Sequence, residues 1–279
     1  MLLEAKNIFV SFKKENQTSF FGKEKQEVVK GVSISLKKGE CLGIIGESGS
    51  GKSTFGKVLI GLLTPDKGDV FINGITLYGK SSREEKRKVK PSISVVFQDY
   101  TSSANPRFRV KDIIGESLRI IEKRESIRVD REKKTEELLE LVGLNKNFMD
   151  RYPHELSGGQ LQRGCIARAV ATNPEIILLD EAISSLDAST QTQVMDLLKN
   201  LQKEFGFSYI FITHDLPSVT YMCDRVIFFY DGKIVEQVDD IYMLSEVKSS
   251  YAAKLLHSIL EIDLQNEEQI DYAKQQSYS

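Results

Sequence analysis

The chain has 279 residues, of which 41% are apolar, as expected of a globular protein that can bury a substantial core. Its net charge of −2 argues against a broad basic surface for nucleic acid. The cysteines Cys41, Cys165 and Cys223 are far apart and form no CxxC pair, so the sequence predicts neither a disulfide framework nor a zinc site.

No apolar run approaches the roughly 20 residues that a membrane-spanning helix needs. The beginning of the chain, "MLLEAKN", places Glu4 and Lys6 where a signal peptide would carry its apolar core. We therefore expect the protein to stay in the cytosol and to reach a membrane only through a partner.

The first part of the chain predicts β-structure. "EAKNIFVSF" and "VVKGVSISL" alternate in polarity, and "ECLGIIG" is an apolar strand that ends in glycine. "KSTFGKVLIGLL" then predicts a helix with Phe55, Leu59 and Leu62–Leu63 on one face. "DVFINGITLYG" predicts strand on both sides of a turn at Asn73–Gly74.

The middle of the chain, from Val110 to Leu144, is charged and has helical periodicity. After Gly159 strands and helices alternate: "EIILLDE" and "FSYIFITHD" are strands, and "STQTQVMDLLKNLQKEFG" is a helix closed by Gly206. "RVIFFYDGKIVE" predicts a hairpin around Asp231–Gly232. This alternation predicts a mainly parallel sheet that is covered on both faces.

The stretch "GESGSGKST" has the spacing of a phosphate-binding loop and lies between a predicted strand and a predicted helix. Its glycines let backbone N–H groups curl around phosphate oxygens at a helix N-terminus. Lys52 can reach the β and γ phosphates of ATP, and the hydroxyl of Ser53 can bind Mg²⁺. The residues of this nucleotide-binding loop are Gly46, Glu47, Ser48, Gly49, Ser50, Gly51, Lys52, Ser53 and Thr54.

Polar residues that follow three further strands fit the same site. "IILLDEA" delivers Asp180 for the Mg²⁺ shell and Glu181 to polarise a water aimed at the γ phosphate. Gln98 follows the strand "SISVVF", where its amide can sense both Mg²⁺ and that water. His214 ends the strand "YIFIT" at the same sheet edge, so we predict catalytic roles for Glu181, His214 and Gln98.

A second glycine-bearing turn, "LSGGQLQRG", runs into another helix. Ser157 predicts the helix N-cap, and Gly158 and Gly159 leave room for an approaching phosphate. One ATP needs only one phosphate cradle from its own subunit, so this second cradle predicts a partner's ATP held between two chains that face head to tail. Asp187, which ends "SSLD", is expected at the same seam.

These motifs, in this order, resemble those of ABC-type ATPases over nearly the whole chain, to about residue 260. The resemblance implies an α/β fold: a nucleotide-binding core with a mainly parallel sheet, an N-terminal antiparallel β subdomain and an inserted α-helical subdomain at about 99–160. We assign residues 1–265 to one nucleotide-binding domain. The tail at 266–279 is rich in Gln, Glu, Ser and Tyr, so we expect it to be loose. ATP and Mg²⁺ are the implied cofactors.

The resemblance also implies individual roles. The signature turn, Ser157 to Gln160, contacts the γ phosphate in trans through its serine. A glutamine like Gln98 lies beside the docking groove for the membrane subunit. An aromatic residue near the first strand stacks on adenine; Phe12 is our choice, and Phe20 and Phe21 are alternatives.

A narrower resemblance is to the ATPases of peptide and nickel importers. "QDYTSSANPRFRV" is similar to their "S-x-NPR" segment, so we expect Tyr100–Arg107 near the membrane-subunit contact. "LDEAISSLD" with "IFITHDLPSV" is closest to the second ATPase of nickel importers, and "SSYAAKLL" resembles their C-terminal "PYT-x-x-LL" element. No cysteine follows Cys223, so we expect none of the iron–sulfur clusters that some relatives carry.

The leading hypothesis is the ATP-hydrolysing subunit of an ABC import system for nickel, peptide or a metal–chelator complex. The implied partners are a second ATPase, two transmembrane permeases and, indirectly, an extracytoplasmic solute-binding protein, with no nucleic acid. A heterodimer of ATPases is favoured and a homodimer stays open. The expected location is peripheral, on the cytoplasmic face of the cell membrane.

Two other function classes are a soluble ABC ATPase of DNA repair, translation or cofactor assembly, and a nucleotide-gated binding module. A soluble ABC ATPase of DNA repair would insert a long coiled coil between the nucleotide motifs, and a translation type would carry two cassettes. The segment here is too short, and each motif occurs once. A nucleotide-gated binding module without turnover is disfavoured by the presence of Glu181 and His214.

Overall fold

The computed structural model describes residues 1–13, 25–80, 82, 84, 85, 89, 92–99 and 103–257. The predicted loose tail, 266–279, and the alternative adenine contacts Phe20 and Phe21 lie outside the described residues.

The N-terminal part forms an antiparallel sheet of the order β2-β1-β4-β5. The first strand is half-buried, with Leu3, Ala5 and Val10 in the core, as its alternating sequence predicts. Asn73 (φ 50°) and Gly74 (φ 76°) form the predicted turn between the last two strands. The strands are β1 (Leu3–Lys13), β2 (Lys25–Leu36), β4 (Lys67–Ile72) and β5 (Ile75–Thr76).

The second sheet has the order β10-β9-β3-β8-β7-β6. Neighbours from β9 to β6 pair in parallel, and β10 is antiparallel to β9. Asp231 (φ 44°) and Gly232 (φ 75°) form the predicted hairpin turn. The strands are β3 (Cys41–Ile45), β6 (Ile93–Phe97), β7 (Ile176–Asp180), β8 (Ser208–Thr213), β9 (Arg225–Tyr230) and β10 (Lys233–Val238).

Both faces of the four strands β3, β7, β8 and β9 are buried, which explains why these strands are nearly continuous apolar runs rather than alternating ones. In β7, Ile177 and Leu179 pack into a core with the helices of the middle region. Ile176 and Leu178 pack into a second core, which contains the first helix and the antiparallel sheet. The sheet is therefore the packed central layer that positions the functional residues.

Helices cover the sheet and fill the middle of the chain. The predicted helical region after Val110 contains α2 and α3, and α5 ends at Gly206 (φ 71°), as predicted. No helix in the described part of the chain is both long and apolar enough to cross a membrane. The helices are α1 (Lys52–Leu59), α2 (Val110–Glu125), α3 (Arg131–Leu141), α4 (Gly158–Val170), α5 (Ala188–Phe205) and α6 (Leu216–Met222).

The predicted extent of α1 is wrong at its C-terminal end. The helix stops at Leu59 instead of continuing through Leu62–Leu63, and the side chain of Leu62 is largely exposed. The backbone turns into the left-handed region at Gly61 (φ 78°), which ends the helix although apolar residues follow. With this correction, the antiparallel sheet, the mainly parallel sheet and the helical insertion confirm the predicted fold class.

Candidate functional site

The predicted site residues follow four adjacent strands, β3, β8, β7 and β6, which run in parallel. Their registers pair Ile45 with Thr213, Ile212 with Asp180, and Asp180 with Phe97, so the strands end side by side. The carboxyl edge of an open α/β sheet is where such folds bind ligands. The residues that follow these strand ends are Gly46, Gln98, Glu181 and His214.

Lys52 begins α1 and is almost completely buried, with 4% of its surface exposed. Its Nζ donates hydrogen bonds of 2.7 Å to the carbonyl oxygens of Gly46 and Glu47, which fold the loop around the ammonium group. Burial lowers the pKa of Lys52, and the nearby carboxylates of Glu181 and Asp180 oppose that shift. The lysine is therefore fixed inside the loop, with carboxylates close by.

The start of α1 has the features of an anion site. Gly51 precedes the helix with φ 106°, and a Cβ there would lie 2.6 Å from the carbonyl oxygen of Val28, so no other residue fits easily. No side chain caps the helix, and Phe55 N–H donates to Gly51 O at 2.9 Å. The earlier N–H groups of this first turn have no intrahelical partner and carry the positive end of the helix dipole.

The loop also contains a buried hydroxyl that fits a nucleotide-binding role. Ser50 is 9% exposed, and among the described residues its Oγ has no hydrogen-bond partner. A buried hydroxyl without a partner costs free energy, and a bound phosphate group would supply acceptors for it. Ser48 and Gly49, which precede it, are exposed at the tip of the loop.

Tyr251 is a residue of this site that the sequence analysis missed. The backbone N–H of Glu47 donates a hydrogen bond of 2.9 Å to the Tyr251 hydroxyl, which belongs to a helical segment at 250–257. The Tyr251 ring lies 4.6 Å from that of Tyr230, centroid to centroid. The phosphate-binding loop is thus fastened to a segment that is distant in sequence.

Ser53 and Asp180, the residues predicted to bind Mg²⁺, lie in direct contact. The Ser53 hydroxyl donates to Asp180 Oδ1 at 2.7 Å, and Asp180 is 6% exposed. Within the described ranges no three His, Cys, Asp or Glu residues cluster as a metal cage. That pattern fits Mg²⁺, which prefers oxygen and often binds one or two protein ligands together with substrate phosphates.

Burial raises the pKa of Asp180, against the opposing effect of the hydrogen bond from Ser53. A carboxyl group whose pKa is higher in the folded than in the unfolded chain destabilises the fold once it ionises. Stability therefore falls as the pH rises through the ordinary and then the raised pKa. Above that raised pKa the protein carries this cost in full.

Glu181 is held in an uncommon backbone conformation directly after β7. Its φ of 49° is in the left-handed region, and its N–H donates to Ile212 O at 2.8 Å. Strain of this kind concentrates at functional sites and persists only where the surroundings impose it. The side chain of Glu181 is 15% exposed, and its Oε2 lies 3.7 Å from His214 Nδ1, beyond hydrogen-bond distance.

Two predicted residues are placed but not brought into contact with this cluster. Gln98 is exposed at the end of β6, beside the strand that carries Asp180. Phe12 is 45% exposed and pairs with Gln26 in the antiparallel sheet, so it lies on a different sheet from the phosphate-binding loop. Its contact with adenine stays a prediction.

The signature turn begins α4. Ser157 caps the helix by accepting a hydrogen bond of 3.3 Å from Gln160 N–H, and Gln160 Oε1 accepts one of 3.0 Å from Ser157 N–H. Ser157 is exposed. Among the described residues, no hydrogen bond or ion pair joins Ser157–Gln160 to Gly46–Thr54. The second cradle is therefore formed and open, without bonds to the first.

Asp187 is exposed and caps α5. Its carboxylate accepts hydrogen bonds from Thr190, one from the backbone N–H at 3.0 Å and one from the hydroxyl at 2.7 Å. These bonds hold the pKa of Asp187 below its ordinary value, chiefly through the hydroxyl. The residue is ionised and oriented at the molecular surface.

The structure shows contacts of two polar residues of α4 that the sequence analysis did not identify. Gln162 is fully buried, and its Nε2 donates to Ala182 O at 2.5 Å, one residue beyond Glu181. Arg163 Nη2 donates to Gln193 Oε1 on α5 at 3.2 Å. A polar residue after the signature turn gives no local signal of burial, so only the tertiary packing identifies these contacts.

Comparison with known proteins identifies relatives of one family. A family model described as ABC transporter matches residues 29–184. The oligopeptide transport ATP-binding protein OppF of Bacillus subtilis is 47% identical over 218 residues, which are 77% of this chain and 71% of that protein. The metal-staphylopine import system ATP-binding protein CntF of Staphylococcus aureus is 46% identical over 218 residues, 78% of this chain and 84% of that protein.

Solved structures with the same fold include the ATP-binding cassette MJ0796 in a dimeric post-hydrolysis state bound to ADP and Pi. It superimposes with a TM-score of 0.72 at 32% identity, covering 84% of this chain and 97% of that one. The Clostridium perfringens protein cbiO1, part of the ABC transporter complex cbiONQ, gives a TM-score of 0.71 at 26% identity, covering 88% of this chain and 91% of that one.

Proposed function

The chain belongs to the ABC transporter family, and from this premise we propose that it is the ATP-hydrolysing subunit of an import system. The observation that carries the proposal is that one sheet edge collects Lys52, Asp180 and Glu181, while a second, open phosphate cradle begins at Ser157. A single chain therefore holds one half of each of two nucleotide sites. Two chains, head to tail, make both sites whole.

In this proposal the chain's own residues bind and orient the triphosphate. Lys52 and the free N–H groups at the start of α1 hold the phosphates, and Ser50 gains the acceptor that its buried hydroxyl lacks among the described residues. Ser53 and Asp180 would hold Mg²⁺, with Gln98 beside them. When bound, Mg²⁺ neutralises charge that develops on the transferred phosphoryl group.

Glu181 is the proposed general base, which takes a proton from the attacking water at its carboxylate. His214 stands 3.7 Å from that carboxylate on the neighbouring strand end, where it can close to a hydrogen bond when nucleotide binds. Gln98 positions the water and senses whether nucleotide is present. The roles are proposals supported by the shared edge of β6, β7 and β8.

The partner chain would complete each site. Ser157, Gly158 and Gly159 cover the γ phosphate of the opposite chain, and Asp187 lies at the seam between the subunits. Hydrogen-bond donors fixed around a developing charge contribute most where water is excluded, and losing one typically costs about 3–4 kcal/mol. Hydrolysis by a lone chain should therefore be slow.

The relatives' names support the cargo class and the partners. Because similar chains are named for oligopeptide transport and for metal-staphylopine import, we propose a peptide or a metal–chelator complex as cargo, with nickel included. The partners are then a second ATPase, in a heterodimer or a homodimer, two permeases and an indirect solute-binding protein. The chain would sit peripherally on the cytoplasmic face of the cell membrane.

Residues 1–265 form the proposed nucleotide-binding domain, with the helical subdomain at about 99–160. This subdomain includes α2 and α3 between β6 and α4. The membrane-subunit contact is proposed at Tyr100–Arg107, of which 103–107 belongs to the described residues.

The test is specific ATPase activity against protein concentration, with sedimentation measured in parallel. Activity should rise more steeply than linearly, or on addition of the partner ATPase and permeases. Ser157→Arg should disable the site whose Lys52 belongs to the opposite chain, and it should leave nucleotide binding to its own chain nearly unchanged. Full turnover that does not depend on concentration, by a species that sediments as a monomer, would contradict the shared site.

A further inference from the structure

We propose that Thr190 is a positioning residue that joins the signature turn at Gly159 to the carboxylate of Asp187 within one chain. The two elements that this chain is proposed to lend to its partner's ATP would then move as one unit. The inference rests on the proposed function for its consequence, but the contact itself can be tested without it.

The first half of the link is a close approach between two helices. A Cβ placed on Gly159 would lie 2.4 Å from Thr190 Cγ2, whereas the next nearest atoms are 3.8 Å away. Real Cβ atoms do not come that close to another carbon, so the methyl group of Thr190 occupies the space that a side chain at position 159 would need. Packing within its own chain therefore requires a glycine at position 159.

The second half of the link is made by the other atoms of the same residue. Thr190 Oγ1 donates to Asp187 Oδ2 at 2.7 Å, and Thr190 N–H donates to Asp187 Oδ1 at 3.0 Å. Both carboxylate oxygens are therefore held by one residue. The methyl group of Thr190 faces the signature turn while its hydroxyl orients Asp187.

Further contacts make this arrangement rigid. Gln162, one turn along α4, donates to Ala182 O at 2.5 Å, and Arg163 donates to Gln193 Oε1 at 3.2 Å. Together with the Gly159 contact they fasten the first turns of α4 to the segment 182–193. That segment starts directly after Glu181 and contains Asp187. A displacement of the signature turn is therefore transmitted to Asp187 through packed atoms.

This explanation of Gly159 differs from the one that its sequence suggests. If the glycine serves only to admit a partner's phosphate, a change at Thr190 has no bearing on the tolerance of position 159. If it serves the contact with Thr190, a smaller residue at 190 should make a larger one at 159 acceptable. The two explanations predict opposite results for a double variant.

The experiment measures ATP hydrolysis by the full chain in the reconstituted transporter. Gly159→Ala should lower kcat/KM by about tenfold or more, because extra atoms in a packed contact force the helices apart. Thr190→Ser removes the contacted methyl group and keeps the hydroxyl for Asp187, so it should lower kcat/KM by about threefold on its own, and the Gly159→Ala/Thr190→Ser double variant should be less impaired than Gly159→Ala alone. Thr190→Val keeps the methyl group and should not rescue it.

A Gly159→Ala/Thr190→Ser double variant as impaired as Gly159→Ala alone would overturn the proposal, and so would full activity of Gly159→Ala. Urea unfolding of the isolated full chain separates this result from a failure of the proposed function. The same rescue should appear in the unfolding midpoint even for a chain that hydrolyses nothing. Absence of coupling there would show that positions 159 and 190 are independent, whatever the chain's activity.

Discussion

Glu181→Gln tests the proposed general base most directly. The substitution keeps the size of the side chain and the N–H bond to Ile212 O, and it replaces only the carboxylate that could accept a proton. That carboxylate lies 3.7 Å from His214 Nδ1, too far for a hydrogen bond. Little ground-state binding should therefore be lost.

The substitution should instead lower the rate of ATP turnover. A general base contributes on the order of 10²–10⁴ in rate, so kcat should drop by about 10²-fold or more, or about 2.7 kcal/mol. Nucleotide binding should stay equal or tighten. Glu181 is one of the carboxylates beside Lys52, and removing its charge reduces repulsion of the triphosphate.

The assay is steady-state hydrolysis together with equilibrium ATP binding in the reconstituted transporter. Glu175→Gln is the matched control, because Glu175 precedes the other end of β7 and bonds Asn73 on the antiparallel sheet. It should leave kcat nearly unchanged. Near-normal hydrolysis by Glu181→Gln would remove this residue from the catalytic role, and parallel losses of binding and turnover would show that it acts on the structure of the site.

Three further predictions follow from described contacts. Asp180→Asn removes a buried charge and should raise the unfolding temperature of the chain, measured by calorimetry without nucleotide at pH 7. The gain should be about 2–4 °C for each kcal/mol of stability recovered. It should vanish below about pH 4, where the carboxyl group is protonated in both the folded and the unfolded chain. Tyr251→Phe should weaken ATP binding about fivefold, the equivalent of one lost hydrogen bond of about 1 kcal/mol; Tyr230→Phe, which keeps the ring pair, should leave a nucleotide titration unchanged. Arg107→Cys, at an exposed position, should crosslink to a permease, whereas Glu84→Cys should not.

Each of these three predictions can be contradicted by a specific result. A stability gain at pH 3 equal to that at pH 7 would mean that the charge of Asp180 is not the cause. Equal ATP binding by the two tyrosine variants would mean that the hydrogen bond from Glu47 N–H to the Tyr251 hydroxyl does not contribute. The native cysteines are all buried, so capture of a permease through position 84 would be a specific result and would refute the placement of the membrane contact.

The sequence predicted the strand ends of the site because each carries a local signal. A phosphate-binding loop between a strand and a helix, and acids directly after an apolar run, need only the parallel order of strands to be brought together. Asp180 and Lys52 therefore share one edge in the structure as expected. The same reasoning failed at the end of α1, where apolar periodicity continued past the point at which Gly61 turns the backbone.

Other features depend on contacts that no spacing encodes. Tyr251 meets the N–H of Glu47 across 204 positions, and the "SSYAAKLL" resemblance drew attention to the segment but not to that bond. The sequence explained Gly159 by the room that a glycine leaves for a phosphate. Nothing in the sequence indicated that this glycine also has a packing role. Its approach to Thr190 appears only when α4 and α5 are packed side by side.

The charges around the phosphate-binding loop give a physical reason for a shared site. The carboxylates of Asp180 and Glu181 already offset the positive charge of Lys52 before a triphosphate adds its own negative charge. Burying another lysine would cost several kcal/mol of lost hydration. A helix N-terminus carries roughly half a positive charge and needs no buried side chain, so α1 of one chain and α4 of its partner together would supply about one. Because Ser157 caps an exposed helix start, that second half charge is available to a neighbour, and in the proposed dimer it would add to the positive charge that faces the nucleotide.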